Sequence, residues 1–411
     1  MADTLSVPNG WRYLKAREVF ESISDKSHNG ELQVLSATQD RGIVPRTAMD
    51  IDISYDKNSL PTYKRVMPGN FVIHLRSFQG GLAYSEVEGI ISPAYVILRP
   101  KGEICDGYYK YLFQSGDYIK RLNVAVYGIR DGKQISYESF GMIRIPVPPL
   151  SEQRRIAEIL ATQDSVIKQK LKLIDAKKKQ KHWLMQNLVT GKARLLGFCD
   201  KWERVKLRDV GKWRKGRGIS KEEASSGSIP AIRYGELYTV HHEYVKQFYS
   251  FISESIAQYS VKLSPGDVLF TCSGETRDEI GKSVTFIDNC IAFAGGDLVI
   301  LSPNAAYLPK YLGFALNTLP VNKQKARLGQ GDSIVHISTE SLKKIALDLP
   351  PFSEQTAIAE MMVTADREIE LLKKELEQQK LFKKYLMQQL LTGKTQVNNV
   401  NSESEVKADD E

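Results

Sequence analysis

Residues 148–153 read Pro-Pro-Leu-Ser-Glu-Gln and residues 350–355 read Pro-Pro-Phe-Ser-Glu-Gln, a repeat at an offset of 202. The same offset carries Ile156, Ala157 and Glu158 onto Ile358, Ala359 and Glu360, and Asp164 onto Asp366. It carries Leu184-Met185-Gln186 onto Leu386-Met387-Gln388 and Thr190-Gly191-Lys192 onto Thr392-Gly393-Lys394, with no gap. Elsewhere the register drifts. Trp11, Lys15, Arg17 and Val19 match Trp202, Lys206, Arg208 and Val210 at 191, and Pro68-Gly69 matches Pro265-Gly266 at 197. Each unit therefore has a part of variable length followed by a part of fixed length. A chain built twice suits a target or an assembly with two comparable halves.

The fixed parts read as long helices. Pro148-Pro149 and Pro350-Pro351 stiffen the start, Ser151 and Ser353 are placed to cap the first turn, and Glu152 and Glu354 suit its positive end. In the second helix Met362, Ala365, Ile369, Leu372, Leu376, Gln379, Lys383, Leu386 and Leu390 follow 3-4 spacing. In the first, Leu160, Ile167, Leu171, Ile174, Leu184 and Leu188 keep much of it. This is a coiled-coil seam with polar interruptions. Gln153, Ile156, Gln355 and Ile358 belong to the same helix-pair and subunit interface. Gly191 and Gly393 stop the helices. At ~1.5 Å per residue, roughly 38 residues give about 55–60 Å each. One helix per repeat is most simply paired with the other, and equivalent surfaces related by a pseudo-two-fold axis make the pair antiparallel.

The variable parts read mainly as strand. Phe71-Val72-Ile73, Ala94–Leu98, Asp267–Phe270 and Leu298–Leu301 are short apolar runs between glycine and proline signals, and a short helix is expected near Asp106–Ser115 and Pro309–Leu316. The expected fold class is α+β: two tandem β-rich lobes separated by two long helices. The expected boundaries are 1–147, 148–194 (helix), 195–349, 350–395 (helix) and an acidic, disordered tail at 396–411.

Bulk properties narrow the function. With 411 residues, 42% hydrophobic and 26% charged, the chain is an ordinary globular composition with room for two or three cores. No apolar run approaches the roughly 18–20 residues of a membrane span, and Met1–Gly10 has no signal-peptide character. Cys105, Cys199, Cys272 and Cys290 are too scattered for a zinc site or a disulfide framework, which fits a cytoplasmic protein. A net charge of +8 and a pI near 9.0 favour a polyanionic partner. The first helix is the more basic: residues 152–194 hold eleven basic and four acidic residues, whereas 354–394 hold seven of each. That excess either faces DNA phosphate or an acidic partner, or is balanced across the helix pair.

Catalytic signatures are missing. Leu349-Pro350-Pro351-Phe352 lacks the amide or carboxylate of an adenine-methyltransferase motif, and Gln388 stands where a phosphate loop ending at Gly393-Lys394 needs glycine. Gly281-Lys282-Ser283 has its upstream glycine, Gly274, two residues too far away, and His241-His242-Glu243 has no helical zinc spacing. The chain is expected to be non-catalytic, with no metal of its own.

The doubled Pro-Pro-Leu/Phe-Ser-Glu-Gln pattern, complete as I-P-x-P-P-L-S-E-Q in the first copy, the Leu-Met-Gln-x-Leu ending with Thr-Gly-Lys, and the Trp-x-x-Val/Leu-Lys opening of each lobe resemble the specificity subunits of type I restriction–modification systems. The resemblance covers residues 11–395. It implies that each β-rich lobe is a target-recognition domain reading one half of a bipartite double-stranded DNA sequence, with the helices setting the spacing. It further implies two methyltransferase (modification) subunits docked on the chain, and restriction subunits carrying motor and nuclease. S-adenosylmethionine, ATP and Mg are then expected on those partners and none on this chain.

Base reading needs polar side chains on positioned loops, and phosphate contact needs Lys and Arg. The candidate DNA-binding residues of the first lobe are Arg76, Ser77, Gln79, Arg130, Lys133 and Gln134. Those of the second are Lys212, Arg214, Lys215, Arg217, Thr271, Ser273, Arg277, Gln330 and Ser333. Because the lobes differ in length and loop chemistry, the two half-sites should differ. Two rival readings are a stand-alone methyltransferase or nuclease, and a coiled-coil scaffold with two lobes that do not bind DNA.

Overall fold

A computed structural model describes residues 7–39, 41–49, 57–126, 135–332 and 334–397. The chain divides into two compact units, residues 1–171 with 375–411, and residues 172–374. Each unit thus takes one lobe, half of the first long helix and half of the second.

In the first unit, β1 (Arg12–Lys15) pairs with β6 (Arg144–Val147) and closes the lobe. Its main sheet has the antiparallel order β2 (Phe20–Ile23), β5 (Val96–Pro100), β3 (Phe71–Ile73), β4 (Ala83–Tyr84). The second unit repeats this frame. β7 (Glu203–Lys206) pairs with β14 (Ala346–Leu349), and the sheet runs β8 (Gly211–Lys215), β12 (Leu298–Pro303), β9 (Val268–Thr271), β11 (Ser283–Thr285). Both central strands, β3 and β9, are buried along their whole length, which explains their unbroken apolar runs. The second lobe adds another four-stranded sheet, with strands from Ser250–Ile252, Ile229–Ile232, Phe293–Ala294 and Val261–Lys262. The first lobe has two two-stranded pairs instead, Leu35–Ala37 with Ile43–Pro45 and Lys64–Val66 with Gly89–Ile91, and the register drifts across these unlike parts.

The expected short helices are present as α2 (Asp106–Gln114) and α5 (Pro309–Ala315). In the first lobe Phe113 packs edge-on against Phe71 at 5.1 Å and lies 5.3 Å from Phe20, so α2 is bound to the sheet by aromatic rings.

The long helices are α4 (Leu150–Asn187) and α8 (Phe352–Leu390). Ser151 and Ser353 stand inside the first turn rather than before it, so they do not serve as caps. The doubled motif works differently. Gln153 donates to Pro148 O (2.9 Å) and accepts from Cys105 N, the residue preceding α2 (2.9 Å). Gln355 donates to Pro350 O (2.8 Å) and accepts from Leu308 N, the residue preceding α5 (2.8 Å). One glutamine per repeat therefore latches the long helix to the short one. The glutamates hold the tryptophans: Trp11 Nε1 donates to Glu152 at 2.8 Å and Trp202 Nε1 to Glu354 at 3.0 Å. Gly191 and Gly393 lie at φ +73° and +70° as helix stops. A Cβ at Gly191 would meet the Trp202 ring at 2.9 Å, and one at Gly393 would meet Pro8 at 2.3 Å.

Inside each unit the two helix stretches run antiparallel. In the first, Gln163 donates to Gln379 (2.8 Å) and Lys383 to Asp164 (2.5 Å). In the second, Lys177 pairs with Glu368 and Lys181 with Asp366, both at 2.7 Å. The Lys383–Asp164 and Lys181–Asp366 pairs are repeat equivalents. Ile156, Leu160, Ile174, Leu188, Ile358, Met362, Ile369, Leu376 and Leu390 are buried, and Ile167, Leu184, Leu372 and Leu386 are half-buried. Leu171 departs from the expected seam and faces outward at 49% exposure. Lys170 takes its place and reaches Glu375 at 2.6 Å, because heptad spacing from Ile167 to Ile174 falls on 170. The basic excess of α4 is thus balanced in part across the pair, at Lys170, Lys177 and Lys181. The partly exposed pairs Lys170–Glu375 and Lys177–Glu368 contribute about 0–1 kcal/mol each, so they set register more than stability, whereas Lys181–Asp366 is largely buried.

The latches differ in one respect. Glu354 is fully buried and also accepts two bonds from Arg194 (2.8 and 2.7 Å), whereas the repeat equivalent of Arg194 is Gln396, which donates to Asn9 O. Glu354→Ala should therefore cost about 2–3 kcal/mol, against about 1 kcal/mol for Glu152→Ala. Urea unfolding followed by circular dichroism measures both, and equal losses would contradict the asymmetry.

Candidate nucleic-acid interface

The first lobe presents a short loop after β3, carried into α1 (Ser77–Gly80). His74 and Ser77 hold it from inside: His74 N donates to Ser77 Oγ (2.8 Å) and Ser77 N to His74 O (3.0 Å). Burial keeps the His74 imidazole below its ordinary range, hence neutral at pH 7. Ser77 is fully buried, so its hydroxyl supports the loop rather than facing a ligand. Arg76 and Gln79 point outward, and Gln39 Nε2 donates to Gln79 Oε1 at 2.9 Å. Arg130, Lys133 and Gln134 lie outside the described residues, as does Ser333 of the second lobe.

The second lobe gathers several predicted residues in one cleft of about 650 Å³. Lys215 comes from the end of β8, Ser273 from the short strand β10 (Ser273–Gly274), and Gln330 from the segment after α6 (Leu319–Leu328). The cleft also holds Asp297, His336 of β13 (Val335–His336), and Ser341 and Lys343 of α7 (Thr339–Lys343). Ser273 Oγ lies 2.9 Å from His336 Nδ1, and Gln330 and His336 exchange both backbone bonds (2.9 and 2.7 Å). Asp297 holds a left-handed φ of +59°, a strained conformation of the kind that gathers at functional sites. Burial, then the Asp297 charge, pushes the Cys272 thiol up to about 11, so it stays protonated.

Other predicted residues have structural roles or stand apart. Arg214 lines the cleft, but its guanidinium is bound to buried Asp267 at 2.5 Å and to Lys262 O. Thr271 is fully buried, with its hydroxyl 2.6 Å from Tyr238 Oη. Lys212 and Arg217 are exposed on and just beyond β8, and Arg277 is exposed and donates to Gly331 O at 3.1 Å. His336 and Lys343 were not legible as site residues.

The arrangement presents polar readers with Lys215 exposed and Lys343 held by Glu340 at 2.7 Å, a donor and acceptor set suited to base edges and phosphates. Among the described residues no group of His, Cys, Asp and Glu is placed to hold a metal, and no helix is long and apolar enough to cross a membrane.

Residues 8–176 and 199–380 both match the family described as type I restriction modification DNA specificity domain. The chain belongs to this family. It is 27% identical over 335 residues to the type I restriction enzyme MjaVIII specificity subunit of Methanocaldococcus jannaschii, covering 76% of each chain. It is 27% identical over 234 residues to a specificity subunit of Haemophilus influenzae designated putative, covering 54% of this chain and 55% of that one. The HsdS subunit of Thermoanaerobacter tengcongensis has the same fold, with a TM-score of 0.56 at 16% identity over 96% of this chain and 99% of that one. A chain from a structure of type I R-M complex assembly gives 0.62 at 16% identity, over 95% and 100%. The two specificity domains of the family correspond to the two lobes, and its tandem plan to the repeat.

Proposed function

We propose that this chain is the DNA sequence-specificity subunit of a type I restriction–modification complex. Each lobe reads one half of an asymmetric bipartite duplex target, and the paired helices fix the half-site spacing. The observation that carries this reading is a shared frame with unlike outward residues. Both lobes have the same sheet order and the same glutamine latch, but one offers Arg76 and Gln79 and the other Ser273, Gln330 and His336.

The chain has no catalysis of its own in this reading. Two methyltransferase subunits bring S-adenosylmethionine, and restriction subunits bring ATP- and Mg-dependent translocation and cleavage, all in the cytoplasm. The test is genome-wide mapping of N6-methyladenine in cells carrying this chain and its methyltransferase. A split asymmetric motif that disappears on deletion of the chain is expected, and an unchanged methylation pattern refutes the proposal.

Variants in the second-lobe cleft separate affinity from specificity. Lys215→Ala with Lys343→Ala should weaken all duplexes alike and lower the slope of log K against log salt by about 2. Ser273→Ala or His336→Ala should instead relax preference at one half-site by about 1–3 kcal/mol. Competition binding of the assembled complex to target and mismatched duplexes distinguishes the two effects.

A further inference from the structure

A cleft of about 740 Å³ in the first unit runs between α3 (Gly116–Val126), the β1–β6 pair and the last turns of α8. Its lining includes Leu112, Tyr118, Ile119, Met387 and Leu391, so its floor is apolar. Its rim is cationic. Arg121, Lys380 and Lys383 already hold Asp117, Glu377 and Asp164. Lys120, Arg144, Lys384 and Lys394 have no carboxylate within ion-pair distance among the described residues. Asp117 is the one acidic residue in the lining.

Part of this excess belongs to one repeat. At the offset of 202, Arg144 corresponds to Ala346 and Lys384 to His182, whereas Lys394 has a counterpart in Lys192. Two unpaired cations, Arg144 and Lys384, that the other repeat lacks favour an anionic occupant particular to this cleft. An apolar floor is of no use to a row of phosphates, but it suits a peptide.

Residues 398–411 lie outside the described residues and enter here by sequence alone. Glu403, Glu405, Asp409, Asp410 and Glu411 stand against the single cation Lys407. The segment follows Val397, three residues beyond the cleft residue Lys394, and fourteen residues can reach at most about 50 Å. We propose that this cleft is the docking site of the acidic segment Asn398–Glu411, which competes there with other polyanions.

The test uses the chain ended after Val397 and a fluorescein-labelled synthetic peptide of residues 398–411. Saturable binding is expected by anisotropy at low salt, weakened at least tenfold by Lys120→Glu, Lys384→Glu and Lys394→Glu together. A peptide with Gln and Asn in place of its acids should not bind. In the full-length chain, neutralising the same five acids should raise affinity for a non-target duplex several-fold, a gain lost in about 0.5 M salt, where charges are screened within a few ångströms. Peptide binding that is absent, or indifferent to the three cations, overturns the proposal. So does a full-length chain whose duplex affinity responds to the three lysines but not to the five acids, which would give the cleft to DNA. So does a loss of partner-subunit assembly on neutralising the acids while peptide binding to the cleft is absent. Peptide binding needs no DNA, so it stands or falls separately from the specificity function.

Discussion

Replacing Gly81 with alanine should unfold the first recognition lobe. Gly81 adopts φ +82°, where side chains are strained, and a Cβ there would sit 2.0 Å from Phe113 O and 2.9 Å from Phe113 C. Neither side can yield. Gly81 follows the turn fixed by His74 and Ser77, and Phe113 is clamped among aromatic rings, including Tyr118 at 4.8 Å. The cost should reach about 4 kcal/mol or more, at the extreme of single substitutions. Gly80→Ala is the control: its Cβ would meet Gln39 Cβ and Cγ at 3.2 Å and Cα at 3.4 Å, contacts that a shift of a few tenths of an ångström relieves. Its cost should stay near 1 kcal/mol. Thermal unfolding of the assembled complex and methylation of the target report the two variants. An active, equally stable Gly81→Ala protein would refute the packing argument.

Lys325→Met should stabilise the second lobe, and most strongly in acid. Lys325 is fully buried on α6, with Nζ donating to Leu316 O at 2.6 Å and its charge 5.9 Å from the Phe270 ring. Among the described residues no carboxylate pairs with it. Desolvation lowers its pKa from the ordinary 10.5 to about 7. Between those values the unfolded chain binds a proton that the folded chain lacks, so this group makes stability rise with pH across that window. Below pH 7 both states are charged and the full burial penalty applies. Methionine removes the charge but leaves Leu316 O without its donor, so the net gain near pH 6 should be about 2–4 kcal/mol. The gain should shrink towards zero by pH 10. Urea midpoints of wild type and variant at pH 6, 7.5 and 9 measure it. A difference independent of pH would mean that Lys325 is not buried as a charge.

Much of this architecture was legible because the chain states it twice. The constant offset from Pro148 to Lys192 marked the long helices, and glycine at 191 and 393 marked their stops. The apolar runs at 71–73 and 267–270 marked the central strands, the second of which runs one residue further along, at Val268–Thr271. Leu171 misled because apolar character was followed rather than spacing, and Lys170, a seam position in every geometric sense, is masked by its charge. Mapping the second helix onto the first would have exposed it. The site was less legible for a different reason. Whether Ser77, Thr271 or Arg214 faces outward depends on His74, Tyr238 and Asp267, and the last two lie 33 and 53 residues from their partners. Lys343 joins Lys215 across 128 positions, with no motif between them to announce it.

The charged rungs between α4 and α8 have a consequence for copies of the protein meeting in a crowded cell. If two α4 helices met in the same register, Lys181 would still find Asp164, since that rung is shared by both repeats. Lys170 and Lys177 would instead face Leu173 and Val166, where Glu375 and Glu368 stand in the proper mate. Two strongly cationic rods would also repel each other. Divergence after duplication has thus made each helix recognise its sibling rather than its double, which guards the molecule against trading arms with its neighbours.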